Sequence, residues 1–419
     1  MKIVFVAPFG FGQKTTVWAR TLPLAKELVK QGHEVALLVP PWDTPADSGK
    51  HYQEDGVEII NVSIRGGLPF TILRLLYQIR RLQPELVHIV KPRAHAGIIQ
   101  WLLWQLRRWK ISPFTIHHSQ FTIYLDLDDW EQAWQEINHY GWLTSKFLAW
   151  QEEWGIRHAD GLTVASRWLE QRAQQYAAET PILYLPNGVV VDGERERGGE
   201  RENNHRVTEP QPAILYLTRY VEVEPEWLVC FSSSLHEALP QSHLIIAGEP
   251  LQPGRDQIFQ LALQSSSAPT TVTSDVATDK DSRRNPQSPF TFLGKVIPAQ
   301  INELYRQVAC AIFPSAPTVL QQAKCSVRLA TTLLHGVPVV ASAVGEQTHY
   351  GAEGAARLVA AEATPEEFAA AVVELLNDPA QQQSMIQRAH EHLARNYQWQ
   401  ALGERLEKWY MRTIQSRQR

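Results

Sequence analysis

The sequence predicts an α/β protein built from two doubly wound domains, and three observations carry that expectation. Short β-branched or apolar runs alternate with amphipathic helical stretches along most of the chain. Its 419 residues exceed what one ordinary core accommodates. A charged, glycine-bearing stretch without an apolar run, residues 191–211, separates two such alternating series.

The first series opens with a strand over residues 2–7 and a turn, Pro8 to Lys14, carrying Gly10 and Gly12. Thr15 to Gln31 has helical periodicity through Val17, Leu22, Leu24 and Leu28, with Thr15 or Thr16 as cap and Gly32 as stop. Glu34–Val39 is the next strand, which completes a β-loop-α-β unit. Strands follow at Val57–Val62, Leu86–Val90, Thr122–Leu127, Gly161–Ala165 and Ile182–Leu185. Helices are expected at Pro69–Leu82, Gly97–Trp109, a long stretch from Trp130 to His158, and Arg167–Tyr176.

The second series has strands at Ala213–Leu217, His243–Ala247, Thr291–Leu293, Ala309–Phe313 and Val337–Ser342. Its helices are Pro298–Gln307, Ser326–His335, Pro365–Asn377, Pro379–Arg395 and Trp399 to about Arg412. Residues 264–289 are rich in Ser, Thr, Asp and Pro and read as a disordered surface insertion.

Composition narrows the function. A net charge of −4 argues against a general nucleic-acid binder. The three cysteines lack zinc spacing; Cys230 and Cys310 sit in apolar runs and read as buried free thiols. No run approaches the ~18–20 apolar residues of a membrane span, and MKIVFVAPFG reads as a strand, not a secretory signal. A cytoplasmic location is expected, with the inner face of the membrane as the other site. Of the 14 tryptophans, eight crowd between Trp101 and Trp154, which fits helix packing, an aromatic acceptor pocket or a membrane-facing surface.

The segment Phe292–Glu346 reads FLGKV, then LYRQVACAIFPS, then KCSVRLATTLLHGVPVVASAVGE. This order resembles the nucleotide-sugar-binding half of the group 1 (family 4) glycosyltransferases. The resemblance implies the GT-B fold: two Rossmann-like domains facing across a cleft, an acceptor domain at 1–190 and a donor domain at 212–395. The segment 396–419 is then expected to cross back to the first domain. The implied reaction moves a hexosyl group from a nucleotide-sugar donor to a glycan or lipid-linked acceptor in cell-envelope or polysaccharide synthesis. No cofactor and no metal are expected. The alternatives are a non-catalytic protein of the same fold that binds sugar nucleotides or a partner, and a sugar-nucleotide epimerase.

A nucleotide-sugar site needs cations and bare amides aimed at the departing diphosphate. Arg219, in LYLTRY, resembles the arginine of the family's first donor-domain loop, but Glu224 stands where the family has a lysine. Lys324 and Arg328, four apart, are the expected replacements on one face of the Ser326 helix. Gly345 and Glu346 suit a phosphate and sugar hydroxyls. Leu293, Gly294 and Val296 match the loop that holds the base, and Asn187-Gly188 matches the domain junction. The family's glutamate pair would fall at Ala323 and Thr331, neither acidic, which implies a divergent subgroup or lost catalysis.

In the first series, Gly10, Gly12 and Lys14 resemble the glycine loop that closes over donor and acceptor. Asp128 and Asp129, just past a strand end and near Asp126, are the candidate catalytic acids, one orienting an acceptor hydroxyl or serving as base. Asp129 also reads as a cap for the Trp130 helix. His117–His118 is the second choice for the histidine that the family places here. Lys91 and Arg93 are expected at the cleft rim, facing an anionic acceptor. Trp101, Trp104, Arg107, Arg108, Trp109 and Lys110 read either as domain packing or as a peripheral membrane contact.

Overall fold

The structure, a computed structural model, describes residues 1–12, 16–109, 121–191, 212–266 and 289–418. It divides into two compact units, one of Met1–Val190, Gln322–Cys325 and Arg395–Arg419, the other of Val191–Gln321 and Ser326–Ala394.

The first unit runs β1 (Lys2–Val6), α1 (Leu22–Lys30), β2 (Glu34–Val39), β3 (His51–Glu54), β4 (Val57–Asn61), α2 (Gly67–Leu82) and β5 (Leu86–Val90). It continues through α3 (Ala94–Arg108), β6 (Thr122–Leu127), α4 (Gln135–Asn138), α5 (Trp142–His158), β7 (Gly161–Val164), α6 (Arg167–Tyr176) and β8 (Ile182–Tyr184). The sheet order is β3-β4-β2-β1-β5-β6-β7-β8. Every neighbouring pair is parallel except β3 with β4. After β1 the chain winds outward on one side and then crosses to β5, so the order reverses between β1 and β5. Such a reversal opens a crevice at the carboxyl ends of the strands.

Alternation along the strands sends side chains to two apolar layers. One face packs Leu75 and Ile79 of α2, Ile99 and Leu103 of α3, Ile156 of α5 and Leu169 of α6. The opposite face packs Leu24 and Leu28 of α1.

Three local expectations are corrected. The helix after β1 begins with a π-type turn, Val17–Thr21, before α1, because Pro23 has no N–H to continue a regular ladder. The long helix from Trp130 to His158 is broken: a 3₁₀ turn at Glu131–Trp134 leads to α4, which ends at left-handed His139 before α5 begins. The hairpin β3–β4 was not anticipated, although Asp55-Gly56, both at positive φ, is a two-residue hairpin turn.

The second unit runs β9 (Ala213–Leu217), α7 (Pro225–Ala238), β10 (His243–Ala247), α8 (Arg255–Ser266), β11 (Phe290–Gly294), α9 (Pro298–Gln307) and β12 (Cys310–Phe313). It continues through α10 (Val319–Ala323), α11 (Val327–Leu334), β13 (Val339–Ser342), α12 (Glu346–Tyr350), β14 (Arg357–Val359), α13 (Pro365–Leu376) and α14 (Pro379–Tyr397). Its sheet, β11-β10-β9-β12-β13-β14, is wholly parallel and reverses between β9 and β12. Leu228, Phe231 and Leu235 of α7 and Phe368 and Val372 of α13 form much of one core layer. Cys310 is buried, and burial pushes its thiol up to about 12. Cys230 is exposed, against expectation, because it sits on the outer side of α7.

The last helix, α15 (Trp399–Gln418), joins the first unit and packs beside α1, with Leu402, Leu406 and Tyr410 in the shared core. Most of the expected linker and insertion, 192–211 and 267–288, lies outside the described residues; 264–266 close α8.

Candidate functional site

Each unit gathers polar side chains at the carboxyl ends of its strands near the reversal in strand order. In the first unit, Leu125 and Leu127 of β6 face the α2–α6 layer, so Asp126 and Asp128 point to the α1 side. Asp128 is 7% exposed, and its Oδ2 accepts a 2.7 Å hydrogen bond from the hydroxyl of Thr16, at the start of the helix after β1.

Lys91 follows β5 in a left-handed conformation, φ 60°. Its ammonium lies 3.0 Å from Asp128, 2.9 Å from Asp129 and 3.4 Å from Glu131. Burial works against that charge, and the three carboxylates outweigh it, raising Lys91 well above the ordinary lysine value. Burial also lifts the Asp128 carboxyl to about 6; Asp129 and Asp126 add to the rise and Lys91 opposes it. The group is therefore ionised at neutral pH yet close enough to 7 to exchange a proton.

Lys91 and Arg93 are corrected as rim cations awaiting an anionic acceptor. Lys91 is 7% exposed and already serves three carboxylates; Arg93 pairs with Glu131 and donates to Tyr140. Asp129 is corrected as a helix cap. The turn after β6 is capped instead by Glu152 of α5, which accepts from the amides of Glu131 at 2.7 Å and Gln132 at 3.3 Å. Burial, with the charge of Glu131, pushes Glu152 up to about 8.

Below this cluster Arg20 grips Asp126 through two hydrogen bonds and also reaches Asn187 at 3.0 Å. Thr163 donates to the same carboxylate, and His88 beside it is pushed down to about 4 by burial and so is neutral. Sequence reading missed Arg20 and Glu152, and took Thr16 only as a helix cap, whereas its hydroxyl makes no cap bond and turns to Asp128. The signal for Thr16 and Arg20 was their four-residue spacing on the helical face that otherwise looks apolar.

The glycine loop is not an open set of amides. Gly10 and Gly12 donate their N–H groups to the two carboxylate oxygens of Asp43, the second at 3.0 Å. Lys14 and His117–His118 lie outside the described residues.

In the second unit the loop after β9 turns at Tyr220, φ 61°, and folds around Glu222. That carboxylate, 6% exposed, accepts from Thr218 Oγ1 at 2.9 Å, Arg219 N at 3.0 Å, Val221 N at 3.1 Å and Arg328 Nη2 at 2.8 Å. Arg328 of α11 also donates to Leu217 O at 3.1 Å. Burial and the nearby charge of Arg328 lower the Arg219 guanidinium below its usual value. Arg328 pairs with this buried acid, while the Arg219 guanidinium feels the charges of both Glu249 and Glu222, so two arginines stand side by side where an anion would settle.

Neighbouring loops converge on the same end of this sheet. Gly248, φ 154°, lies so close to the β9 loop that a Cβ would sit 1.8 Å from Thr218 O. Its N–H donates to Gly294 O at 2.8 Å, which ties the Arg219 loop to Leu293-Gly294, where Leu293 is exposed and Val296 half-buried. Glu249 pairs with Lys295 at 3.1 Å. After β13, Gly345 takes φ 51°, ψ −135°, a conformation for glycine alone, and leads into buried Glu346. Ser315 N donates to Ser342 Oγ at 3.0 Å and links the loops after β12 and β13.

Arg219, Arg328, Gly345, Glu346, Leu293, Gly294 and Val296 all lie at strand ends or on α11 of the second unit. Lys324 does not share a helical face with Arg328. A bend separates α10 from α11, Lys324 groups with the first unit, and its ammonium lies 5.8 Å from the Trp134 ring. Ala323 is buried in the first unit's core, and Glu224 pairs with Arg255. Glu222 was missed because one acid in a loop carries no periodic signal.

Among the described residues no cluster of three His, Cys, Asp or Glu is placed to hold a metal, and no helix is long and apolar enough to cross a membrane.

Residues 15–188 match the family of the glycosyl transferase 4-like domain, and residues 211–378 match the glycosyl transferases group 1 family. No curated protein matches the sequence significantly. Among solved structures, a sucrose-phosphate synthase from Thermosynechococcus elongatus aligns with TM-score 0.70 and 16% identity over 99% of each chain. The Anabaena protein HepE in complex with UDP and glucose aligns with TM-score 0.64 and 13% identity over 97% of this chain and 98% of that one. A glycosyltransferase from Rickettsia africae aligns with TM-score 0.65 and 13% identity over 99% and 98%. At such identities these likenesses show the fold, and the two family matches, which together span most of the chain, add the lineage. The chain belongs to the group 1 and family 4 clan of GT-B glycosyltransferases, enzymes that transfer a sugar from a nucleotide-sugar donor.

Proposed function

We propose that this enzyme transfers a hexosyl group to a hydroxyl of a glycan or lipid-linked acceptor in cell-envelope or polysaccharide synthesis, at the cytoplasmic side of the membrane. The observation that carries the chemistry is Asp128, a carboxyl buried at the carboxyl end of β6 and lifted to about 6. In this reading Asp128 takes the proton of the acceptor hydroxyl. The acceptor oxygen bonds to the anomeric carbon, the bond from that carbon to the diphosphate breaks, and its electron pair leaves on the diphosphate. Thr16 and Lys91 hold Asp128 in place.

The donor is held by the second unit. Arg219 and Arg328 take the diphosphate charge, Gly345 brings amides to it, Glu346 meets sugar hydroxyls, and Leu293, Gly294 and Val296 border the base. Because fixed cations supply this charge, the reaction needs no metal. A UDP-hexose is the first donor to test, since HepE is described in complex with UDP and glucose. With Ala323 and Thr331 at the positions of the family's glutamate pair, we place the enzyme in a divergent subgroup that dispenses with it.

The test is incubation with UDP-, GDP- and ADP-hexoses and a panel of glycan and lipid-linked acceptors, with and without chelator. Acceptor-dependent release of nucleoside diphosphate, insensitive to chelator and lost in Asp128→Asn, supports the reading. Donor binding without release under every condition refutes it and favours the non-catalytic alternative that the missing glutamates suggest.

A further inference from the structure

One layer of the first unit carries an apolar surface that the sugar chemistry does not use. α3 packs between α2 and α5 on one face of the sheet. On α5 the side chains of Trp142, Leu143, Phe147 and Trp150 are exposed by 70%, 74%, 43% and 43%. Their positions fall on one side of the helix, around Lys146.

Aromatic rings continue this surface onto α3. Phe147 stacks on Trp150 with centroids 5.8 Å apart, Trp150 lies 6.2 Å from Trp154, and Trp154 meets Trp104 edge-on at 5.6 Å. The Arg108 guanidinium sits 5.3 Å from the Trp104 ring centre. On α2, Phe70, Leu73 and Tyr77, spaced i, i+3, i+7, are also exposed, with Arg80 and Arg81 following on the next turn.

The charge pattern names the partner. Neither α2 nor α3 contains an aspartate or glutamate, and α5 has none before Glu152. The charged groups among the exposed apolar residues are Arg80, Arg81, Arg108 and Lys146, all positive. Bulky aromatics that can enter a headgroup layer, bordered by cations and with half-buried Glu153, already paired with Arg157, as the carboxylate beside them on α5, match an anionic bilayer surface. Protein interfaces share the enrichment in aromatics and arginine but are depleted in lysine, and Lys146 stands among the exposed apolar residues of α5.

We propose that the outer face of α5, α3 and α2 docks this enzyme on an anionic lipid bilayer. This replaces the expectation that α3 alone makes the contact, since Trp101 and Trp104 are half-buried between the helices. The proposal goes beyond the sugar-transfer reading and is tested without donor or acceptor, so either can fail alone.

The experiment is co-sedimentation of the full chain with extruded vesicles of phosphatidylcholine, with and without about one-third phosphatidylglycerol. Binding to the anionic vesicles is expected, weakened by high salt and absent with phosphatidylcholine alone. The double variant Leu143→Glu, Phe147→Glu and the single variant Lys146→Glu should each lower the vesicle partition coefficient, the first by about tenfold or more. Both change exposed side chains, so an unchanged melting curve confirms folding. A wild-type protein that stays in solution with every vesicle overturns the proposal. So do variants that bind as well as wild type, or a wild-type dimer that Leu143→Glu, Phe147→Glu splits while lipid binding is nil.

Discussion

Arg20 and Asp126 form a two-pronged ion pair inside the first unit, with Nε 2.8 Å from Oδ2 and Nη2 2.7 Å from Oδ1. The residues are 1% and 5% exposed. Burial opposes the Asp126 charge, but Arg20 outweighs it and holds the carboxyl below its usual range. Removing one partner leaves the other charged and dry, so Arg20→Ala should cost about 3–5 kcal/mol in urea unfolding. The pair Arg20→Met, Asp126→Leu should recover a large part of that loss. A loss under 1 kcal/mol in the single variant would show that water reaches the site.

Asp128 makes the opposite trade. Its folded value of about 6 lies above the ~3.9 of an unfolded aspartate. Folding therefore favours the protonated form: its contribution is full below the unfolded value and is lost as pH rises through about 6. At pH 7.5 the ionised group costs roughly 2–3 kcal/mol. Asp128→Asn should thus be more stable than wild type at pH 7.5, with the gap closing as pH falls toward 4. The same variant should lose about 10²–10⁴ in kcat/KM and the acid limb near pH 6. Equal stability at both pH values would mean that Asp128 is not shifted.

How much of this could be read from sequence differs between the two levels. The two sheets were legible because parallel strands buried on both faces leave unbroken apolar runs, such as Leu86–Val90 and Val339–Ser342. β14 was not, being three residues long and partly exposed at a sheet edge. The placement of Asp128 and Arg219 at strand ends was legible, because each stands just past an apolar run. The contacts around them were not: Lys91 meets Asp129 across 38 positions, and Arg328 meets Glu222 across 106. Register and crossover bring those groups together, and a count along the chain cannot see either.

Arg219 and Arg328 should fail in different ways. Arg328 is tied to Glu222 and Leu217 O, so Arg328→Ala leaves a buried carboxylate short of its cation and should lower stability by about 1–3 kcal/mol as well as binding. Arg219 is half-buried, and among the described residues its guanidinium forms no ion pair. Arg219→Ala should leave the melting temperature nearly unchanged while weakening UDP or UDP-hexose binding by about tenfold or more in calorimetry. Equal nucleotide affinity in wild type and Arg219→Ala would remove this arginine from the donor site.

Gly248 sets how closely the β9 and β10 loops approach. A methyl group there would stand 1.8 Å from Thr218 O and 2.9 Å from Thr218 C, both backbone atoms that no rotamer change can move. The residue also holds φ 154°, which side-chain-bearing residues avoid. Gly248→Ala must therefore shift the loop that carries Arg219 and Glu222. The expected result is a loss of at least about 3 kcal/mol, or insoluble protein. Where enough folds to assay, nucleotide affinity should fall with it. Gly254→Ala serves as the control: it also has positive φ, 80°, but nothing lies within 4 Å of its Cβ, so it should cost only about 1 kcal/mol. If both variants lose the same stability, backbone strain alone accounts for Gly248, and the close packing of the two loops is not what the glycine protects.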